Sequence, residues 1–299
     1  MCAEFGPRVE LIAVDLDGTL LAPDGHVSPR TVKAVRGALD AGIRVVIATG
    51  RTWWESRAIV EAAGLADSDG PHPGVFGGGA VVNDMATGRT LAKTTIDPVT
   101  AMEISRIIED AGYPAMILHD VGGSGAEFLI SDGITIPQSL QDWFTHHKHD
   151  IITRSDLARV PHPGTLRVTT ALTAQSMREI GPRLETELAG RCVWHAIRVP
   201  AYDVNVLEVF HPAVSKWHGL VQLAALTGID AGRIVALGDD VNDLAMLRHA
   251  MLGVAMGNAR PEAVEVADLQ IGPHSEDGLA RFLEELVKHG SRRSLKAAR

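Results

Sequence analysis

Leu11-Ile12-Ala13-Val14 is an unbroken aliphatic run that leads straight into Asp15-Leu16-Asp17-Gly18-Thr19-Leu20-Leu21. A strand with one wet face alternates apolar and polar residues; a parallel strand covered by helices on both faces does not. The run therefore predicts a buried parallel strand, with Gly18 turning the chain and Asp15 and Asp17 at the strand's carboxyl end. Open α/β sheets bind their ligands at that end. Two carboxylates so placed repel each other unless a cation lies between them or one keeps its proton. Catalysis can use either arrangement.

The pattern recurs. Residues 44–48 read as a second buried strand ending in Thr49-Gly50-Arg51, and 234–237 as another ending in Gly238-Asp239-Asp240-Val241-Asn242-Asp243. Between the first two runs, Ser28-Pro29 reads as an N-cap followed by proline at the first helical position. Val32, Val35, Ala38 and Leu39 give that helix an apolar face, and Gly42 suits its exit. Thr52 can cap the helix after Arg51, and 74–76 reads as a third strand before Gly77-Gly78-Gly79. Strand alternating with helix is the signature of a parallel sheet.

From about Val81 the rhythm changes to strands joined by turns, with candidates at 80–82, 90–96, 115–118, 127–130, 166–170, 193–199 and 204–210. Helices are expected at 98–111, 138–147 and 175–188. Turn residues cluster at Gly122-Gly123-Ser124-Gly125 and Pro161-His162-Pro163-Gly164. This reads as an α+β module with an antiparallel sheet. The α/β rhythm returns with helices at 215–226, 243–250 and 277–288 and short strands at 253–256 and 269–271. The basic stretch 291–299 lacks a core pattern and reads as a frayed tail. The expected organisation is a core of 1–83 and 211–299, split by an inserted module of 84–210.

With 299 residues the chain has room for both domains. A formal net charge of -9 argues against a nucleic-acid binder. Cys2 and Cys192 are too few for a disulfide framework, which points to a reducing compartment. The first apolar run is short and broken by Asp15 and Asp17, unlike a signal peptide. No run approaches the ~18 apolar residues of a membrane span. The expectation is a cytoplasmic protein without membrane partners; patterning does not show its oligomeric state.

Hard oxygen ligands gathered at strand ends suit Mg²⁺, which keeps waters and phosphate oxygens in its shell. A cluster of acids admits a phosphate dianion only if metal and a cation offset the charge, and Lys216, just after Ser215, is placed for that. Thr49 and the amide of Gly50 at a helix start can hold phosphate oxygens. Singly, an Asp-Gly pair is usually a turn and a lysine usually a solvated surface residue. Their coincidence at three strand ends favours the functional reading. Trp53 and Trp54 read as one ring in the core and one against the inserted module. His146-His147-Lys148-His149 points in several directions on a helix and does not converge on a metal. Cys192 reads as a buried thiol.

Asp15-Leu16-Asp17-Gly18-Thr19, Thr49-Gly50-Arg51, Val214-Ser215-Lys216 and Gly238-Asp239-Asp240-Val241-Asn242-Asp243 occur in the order of the haloacid dehalogenase superfamily, and the chain resembles its Cof-type (subclass IIB) sugar-phosphate phosphatases. Residues 254–259 and Glu276-Asp277-Gly278 resemble that subfamily's late segments. The resemblance implies a Rossmann-like parallel-sheet core with an inserted α+β cap of the C2 type, closing over the site to exclude water and read the leaving group. It implies a Mg²⁺-dependent phosphomonoester hydrolase for a small phosphorylated metabolite, a sugar phosphate by preference. Asp15 would be the nucleophile, forming an aspartyl phosphate, and Asp17 the general acid and base. Asp15, the backbone carbonyl of Asp17 and Asp239 would hold the metal. Thr49, Gly50, Arg51, Lys216 and Asn242 would bind phosphate, with Thr49 and Lys216 also catalytic, and Asp243 would act from behind Lys216 or the metal. Asp240 has no assigned role. Dehalogenases lack an acid at the position of Asp17, so its presence points to phosphoryl transfer. Gly78 replaces the family's usual asparagine, Glu265 stands where a lysine is usual, and Trp53 follows Thr52 where proline is common. The alternatives are a sugar phosphomutase and a phosphate-binding module without turnover.

Overall fold

The structure is a computed structural model that describes residues 9–66, 72–120, 128–136, 138, 141–142, 151–199 and 204–289. Cys2, the turn at 122–125, most of the helix expected at 138–147 with His146-His147-Lys148-His149, and the tail at 291–299 lie outside the described residues. By contact the chain divides into two compact units, Met1–Ala92 with Ser215–Arg299, and Lys93–Val214.

In the first unit, β1 (Leu11–Val14) is buried along its whole length. It leads through a turn to α1 (Pro29–Asp40), where Ser28 accepts from the Thr31 amide and Pro29 opens the helix. β2 (Arg44–Ile47) follows, then α2 (Trp53–Ala62), begun by a reciprocal capping box of Thr52 and Glu55. β3 (Pro73–Phe76), β4 (Val81–Asp84) and β5 (Thr90–Lys93) come next.

The second unit contains α3 (Pro98–Asp110), β6 (Met116–His119), β7 (Phe128–Ser131), β8 (Ile151–Arg154), β9 (Thr165–Leu172), α4 (Ala174–Glu187), β10 (Val193–Val199) and β11 (Val204–Phe210). Its sheet has the order β10-β11-β9-β6-β7-β8. Ile104, Ile107 and Ile108 of α3 and Ile180 and Leu184 of α4 pack on Ile117, Val168, Leu207 and Val209 of that sheet. Arg167 and Glu208 form a buried ion pair on neighbouring strands. The sheet is not wholly antiparallel as expected: β8 pairs with β7 in parallel.

The first unit resumes with α5 (Lys216–Thr227), β12 (Ile234–Gly238), α6 (Leu244–His249), β13 (Leu252–Ala255), α7 (Pro261–Val266), β14 (Leu269–Gln270) and α8 (Gly278–His289). Its main sheet is parallel, in the order β14-β13-β12-β1-β2. The chain runs outward in opposite directions from β1, so the gap between β1 and β12 is where the winding reverses. Val14 stands level with Ile47 on one side and Leu237 on the other. That register delivers Asp15, Thr49 and Asp239 to one edge of the sheet.

One departure concerns β3. It touches the parallel sheet only through a bridge between Ala48 and Val75, and otherwise pairs antiparallel with β4 in a three-stranded sheet ending in β5. This pairing keeps β4 and all but the last residue of β5 in the first unit, so the units divide at 92/93 and 214/215, later than the expected 83/84 and 210/211. Among the described residues no helix is long and apolar enough to cross a membrane.

Candidate active site

Asp15 leaves β1 buried. The turn after it is closed by Leu20 N–H on Asp15 O (3.1 Å) and Leu21 N–H on Leu16 O (2.9 Å). Gly18 has φ of 75°, and a Cβ there would overlap the Asp239 carboxylate. Glycine is required on both counts. Thr19 Oγ1 then donates to Asp239 Oδ1 (3.1 Å), tying the first acid cluster to the second.

The second cluster is organised by Asp243, which is fully buried. Its Oδ2 accepts from the backbone amides of Asp239 (2.9 Å) and Asp240 (3.1 Å). Its Oδ1 accepts from Lys216 Nζ at 2.6 Å. The same ammonium lies 2.7 Å from Asp15 Oδ1. Lys216 is the first residue of α5, behind the N-cap Ser215, and is only 1% exposed. The Gly77-Gly78-Gly79 turn lets α5 come this close: a Cβ on Gly79, whose φ is 103°, would fall on the Ser215 carbonyl.

Two carboxylates thus share one ammonium, with that of Asp239 alongside. Burial and the charge of Asp243 raise the Asp15 carboxyl well above the usual carboxylate range, despite Lys216. Burial and Asp243 push the Asp239 carboxyl up to about 7, against the hydrogen bond from Thr19. Burial works to lower the Lys216 ammonium, but Asp15 and Asp243 outweigh it and hold it above its ordinary value. The cluster is short of positive charge. One oxygen from each of Asp15, Asp239 and Asp243 lies within 4.8 Å of the others. An all-oxygen donor set carrying excess negative charge fits a hard divalent cation. Both Asp243 oxygens are engaged by the lysine and two amides, so Asp15 and Asp239 are the better placed ligands. The side chain of Asp17 is outside this cluster.

Asp17 is held by Arg51, whose Nε (2.8 Å) and Nη2 (2.5 Å) grip its two oxygens as a fork. Arg51, expected on phosphate, here spends its guanidinium on Asp17. Thr49 is buried, and its Oγ1 accepts from the Arg51 amide (3.1 Å). Asn242 Nδ2 lies 3.8 Å from where a Cβ on Gly50 would be. Asn242 Oδ1 is buried without a partner among the described residues. Trp53 is in the core, donating to Met85 O (2.9 Å); Trp54 lies edge-on to it at 4.8 Å between centroids and is 56% exposed. Cys192 is a half-buried free thiol, and Glu265 is exposed. Gly78, with φ of 69°, donates its amide to Thr49 O (3.0 Å). Sequence reasoning gave no role to Thr19, Asn258 or His274, all of which touch the turn after Asp15.

The model of the haloacid dehalogenase-like hydrolases matches residues 12–283. The chain is 28% identical over 288 residues to the 5-amino-6-(5-phospho-D-ribitylamino)uracil phosphatase YitU of Bacillus subtilis, covering 92% of this chain and 96% of that one. It is also 28% identical over 280 residues to the chloroplastic endoribonuclease YBEY of Arabidopsis thaliana, covering 92% of this chain but only 46% of the plant protein. It therefore spans less than half the length of that relative. A solved sugar phosphatase of HAD subclass IIB superposes with a TM-score of 0.74 at 21% identity, over 93% of this chain and 98% of that one. The chain belongs to the haloacid dehalogenase-like hydrolases. Within them it is a phosphatase of the Cof type.

A pH dependence follows from Asp239. In the unfolded chain this carboxyl releases its proton near 3.8, and in the folded chain only near 7. Its contribution to stability therefore falls as pH rises through that window, and a cation must displace the proton below the upper limit. Titrating Mg²⁺ by thermal shift should show an apparent Kd that weakens as pH falls through about 7. A Kd flat between pH 6 and 8 would contradict this.

Proposed function

We propose that the chain is a Mg²⁺-dependent phosphomonoesterase working through an aspartyl phosphate on Asp15, acting on a sugar or sugar-alcohol phosphate. The observation that carries this reading is Lys216 Nζ buried between Asp15 Oδ1 and Asp243 Oδ1, with Asp239 alongside. The ammonium holds one oxygen of Asp15 and aims the other. Asp15 attacks phosphorus, the bond from phosphorus to the ester oxygen breaks, and Asp17 gives that oxygen a proton. Asp17, now a carboxylate, takes a proton from the water that attacks the phosphorus of the aspartyl phosphate; phosphate leaves and Asp15 is restored. Both oxygens of Asp17 are on Arg51 here, so Asp17 must give up at least one of these bonds to act.

Thr49, the Gly50 amide, Lys216 and Asn242 are assigned to the phosphoryl oxygens. Asn242 Nδ2, a donor lying beside Gly50, supports placing its amide there. Asp15, the Asp17 carbonyl and Asp239 are assigned to Mg²⁺, which when bound neutralises charge on the transferring group. The inserted unit, Lys93–Val214, is assigned the choice of leaving group. The Bacillus subtilis relative takes a phosphate on a ribityl chain, which supports the substrate class.

A panel of phosphate esters assayed with and without Mg²⁺ tests the reading. Release of inorganic phosphate from sugar or sugar-alcohol phosphates, lost on chelation, is expected. No phosphate from any ester, or isomerised sugar phosphate in its place, would overturn it.

A further inference from the structure

The turn after Asp15 carries the proposed nucleophile and acid, yet its own hydrogen bonds fix only part of it. Leu20 and Leu21 donate back to Asp15 and Leu16. The carbonyls of Gly18 and Leu21 are taken from outside: Asn258 Nδ2 donates to Gly18 O at 2.9 Å, and His274 Nδ1 donates to Leu21 O at 2.8 Å. The two outside donors are themselves joined, because the His274 amide donates to Asn258 Oδ1 at 2.9 Å.

Both donors sit on anchored backbone. On one side of Asn258 the Ala259 amide reaches Met256 O (3.0 Å), and the Arg260 amide reaches Asp239 O (2.8 Å). Past His274, Asp277 takes a left-handed φ of 55° and accepts from Ser28 Oγ (2.5 Å), fixing that loop to the start of α1. Asn258 lies in the late segment 254–259, and His274 stands two residues before the other, Glu276-Asp277-Gly278.

Gly18 is the point at which the turn is easiest to deform, since glycine moves between backbone basins at little steric cost. Rotating the peptide between Gly18 and Thr19 would carry Thr19 Oγ1 off Asp239 and shift Asp17. A donor fixed on Gly18 O opposes that rotation. We infer that Asn258 and His274 are a linked pair of positioning residues that hold the turn bearing Asp15 and Asp17 through its Gly18 and Leu21 carbonyls. The pair touches neither reacting atoms nor metal ligands directly. Its effect falls on the population of the competent turn, hence on kcat rather than on substrate affinity. This inference rests on the hydrolase reading above.

The test compares Asn258→Ala, His274→Ala, the double variant and His274→Asn, each with para-nitrophenyl phosphate and saturating Mg²⁺. Each alanine variant should lose about tenfold to a hundredfold in kcat, with KM within about twofold of the parent. The double variant should lose less than the product of the singles, because the two side chains act on one turn. His274→Asn keeps a short amide donor and should recover most of the loss. Parent-like kcat in the alanine variants would overturn the inference, as would a loss that follows KM or the melting temperature alone. If Asn258→Ala does not fold, the His274 pair of variants decides by the same criteria. Asp15→Asn separates the two claims. If that variant is active, the hydrolase reading fails; if it is dead while the alanine variants keep parent kcat, only the positioning pair fails.

Discussion

Asp15→Asn should lose turnover by about 10⁴-fold or more while the metal-free protein stays at least as stable as the parent. The activity arm follows from removing the nucleophile. The stability arm follows from the raised carboxyl: burial and Asp243 oppose its charge in the folded chain. Above about pH 4 the unfolded chain ionises this group freely, so ionising it costs the folded state. Asparagine keeps the shape and removes that cost, and Lys216 keeps its bond to Asp243 (2.6 Å). Assay and melting temperature at pH 7.5, without metal, check both arms. An active variant, or a dead one that melts well below the parent, would contradict the assignment.

Lys216→Met should also be inactive, with the opposite effect on stability. It leaves Asp15 and Asp243 buried without their shared ammonium, and removing one partner of such a group costs about 3–5 kcal/mol. The loss should shrink as pH falls, compared at pH 8 and pH 6, because burial already raises the Asp15 carboxyl and its protonated form no longer needs the lysine. Denaturant unfolding at the two pH values measures both effects. A variant as stable as the parent would mean that the lysine is not the counter-ion of the cluster.

The runs ending at Asp15, Thr49 and Asp239 are legible because strands buried on both faces must be continuously apolar, and a parallel sheet in register sends their ends to one edge. The place of β3 is not legible: Val75 and Phe76 are equally buried in the main sheet or beside β4, so hydropathy does not choose. β8 is four residues with three exposed, which leaves no periodic signal. In the site, residue types and spacing point to the acids and the lysine, but not to the direction of their side chains. Asp17 is turned to Arg51, while Asp243 reaches into the cluster. Asn258 and His274 act on backbone carbonyls, which every residue has, so no pairing of residue types marks them.

The central claim is that the phosphoryl group passes through Asp15 and that Asp17 moves the proton in both halves of the reaction. Asp17→Asn with Mg²⁺ and para-nitrophenyl phosphate tests it most directly, because this leaving group departs without a proton while the aspartyl phosphate still needs a base to hydrolyse. Stopped-flow absorbance should show a burst of about one para-nitrophenolate per protein, then a near halt. Borohydride reduction of the stalled protein should convert residue 15 to homoserine. Steady turnover with no burst, or a phosphoryl group trapped on any residue other than Asp15, would contradict the account.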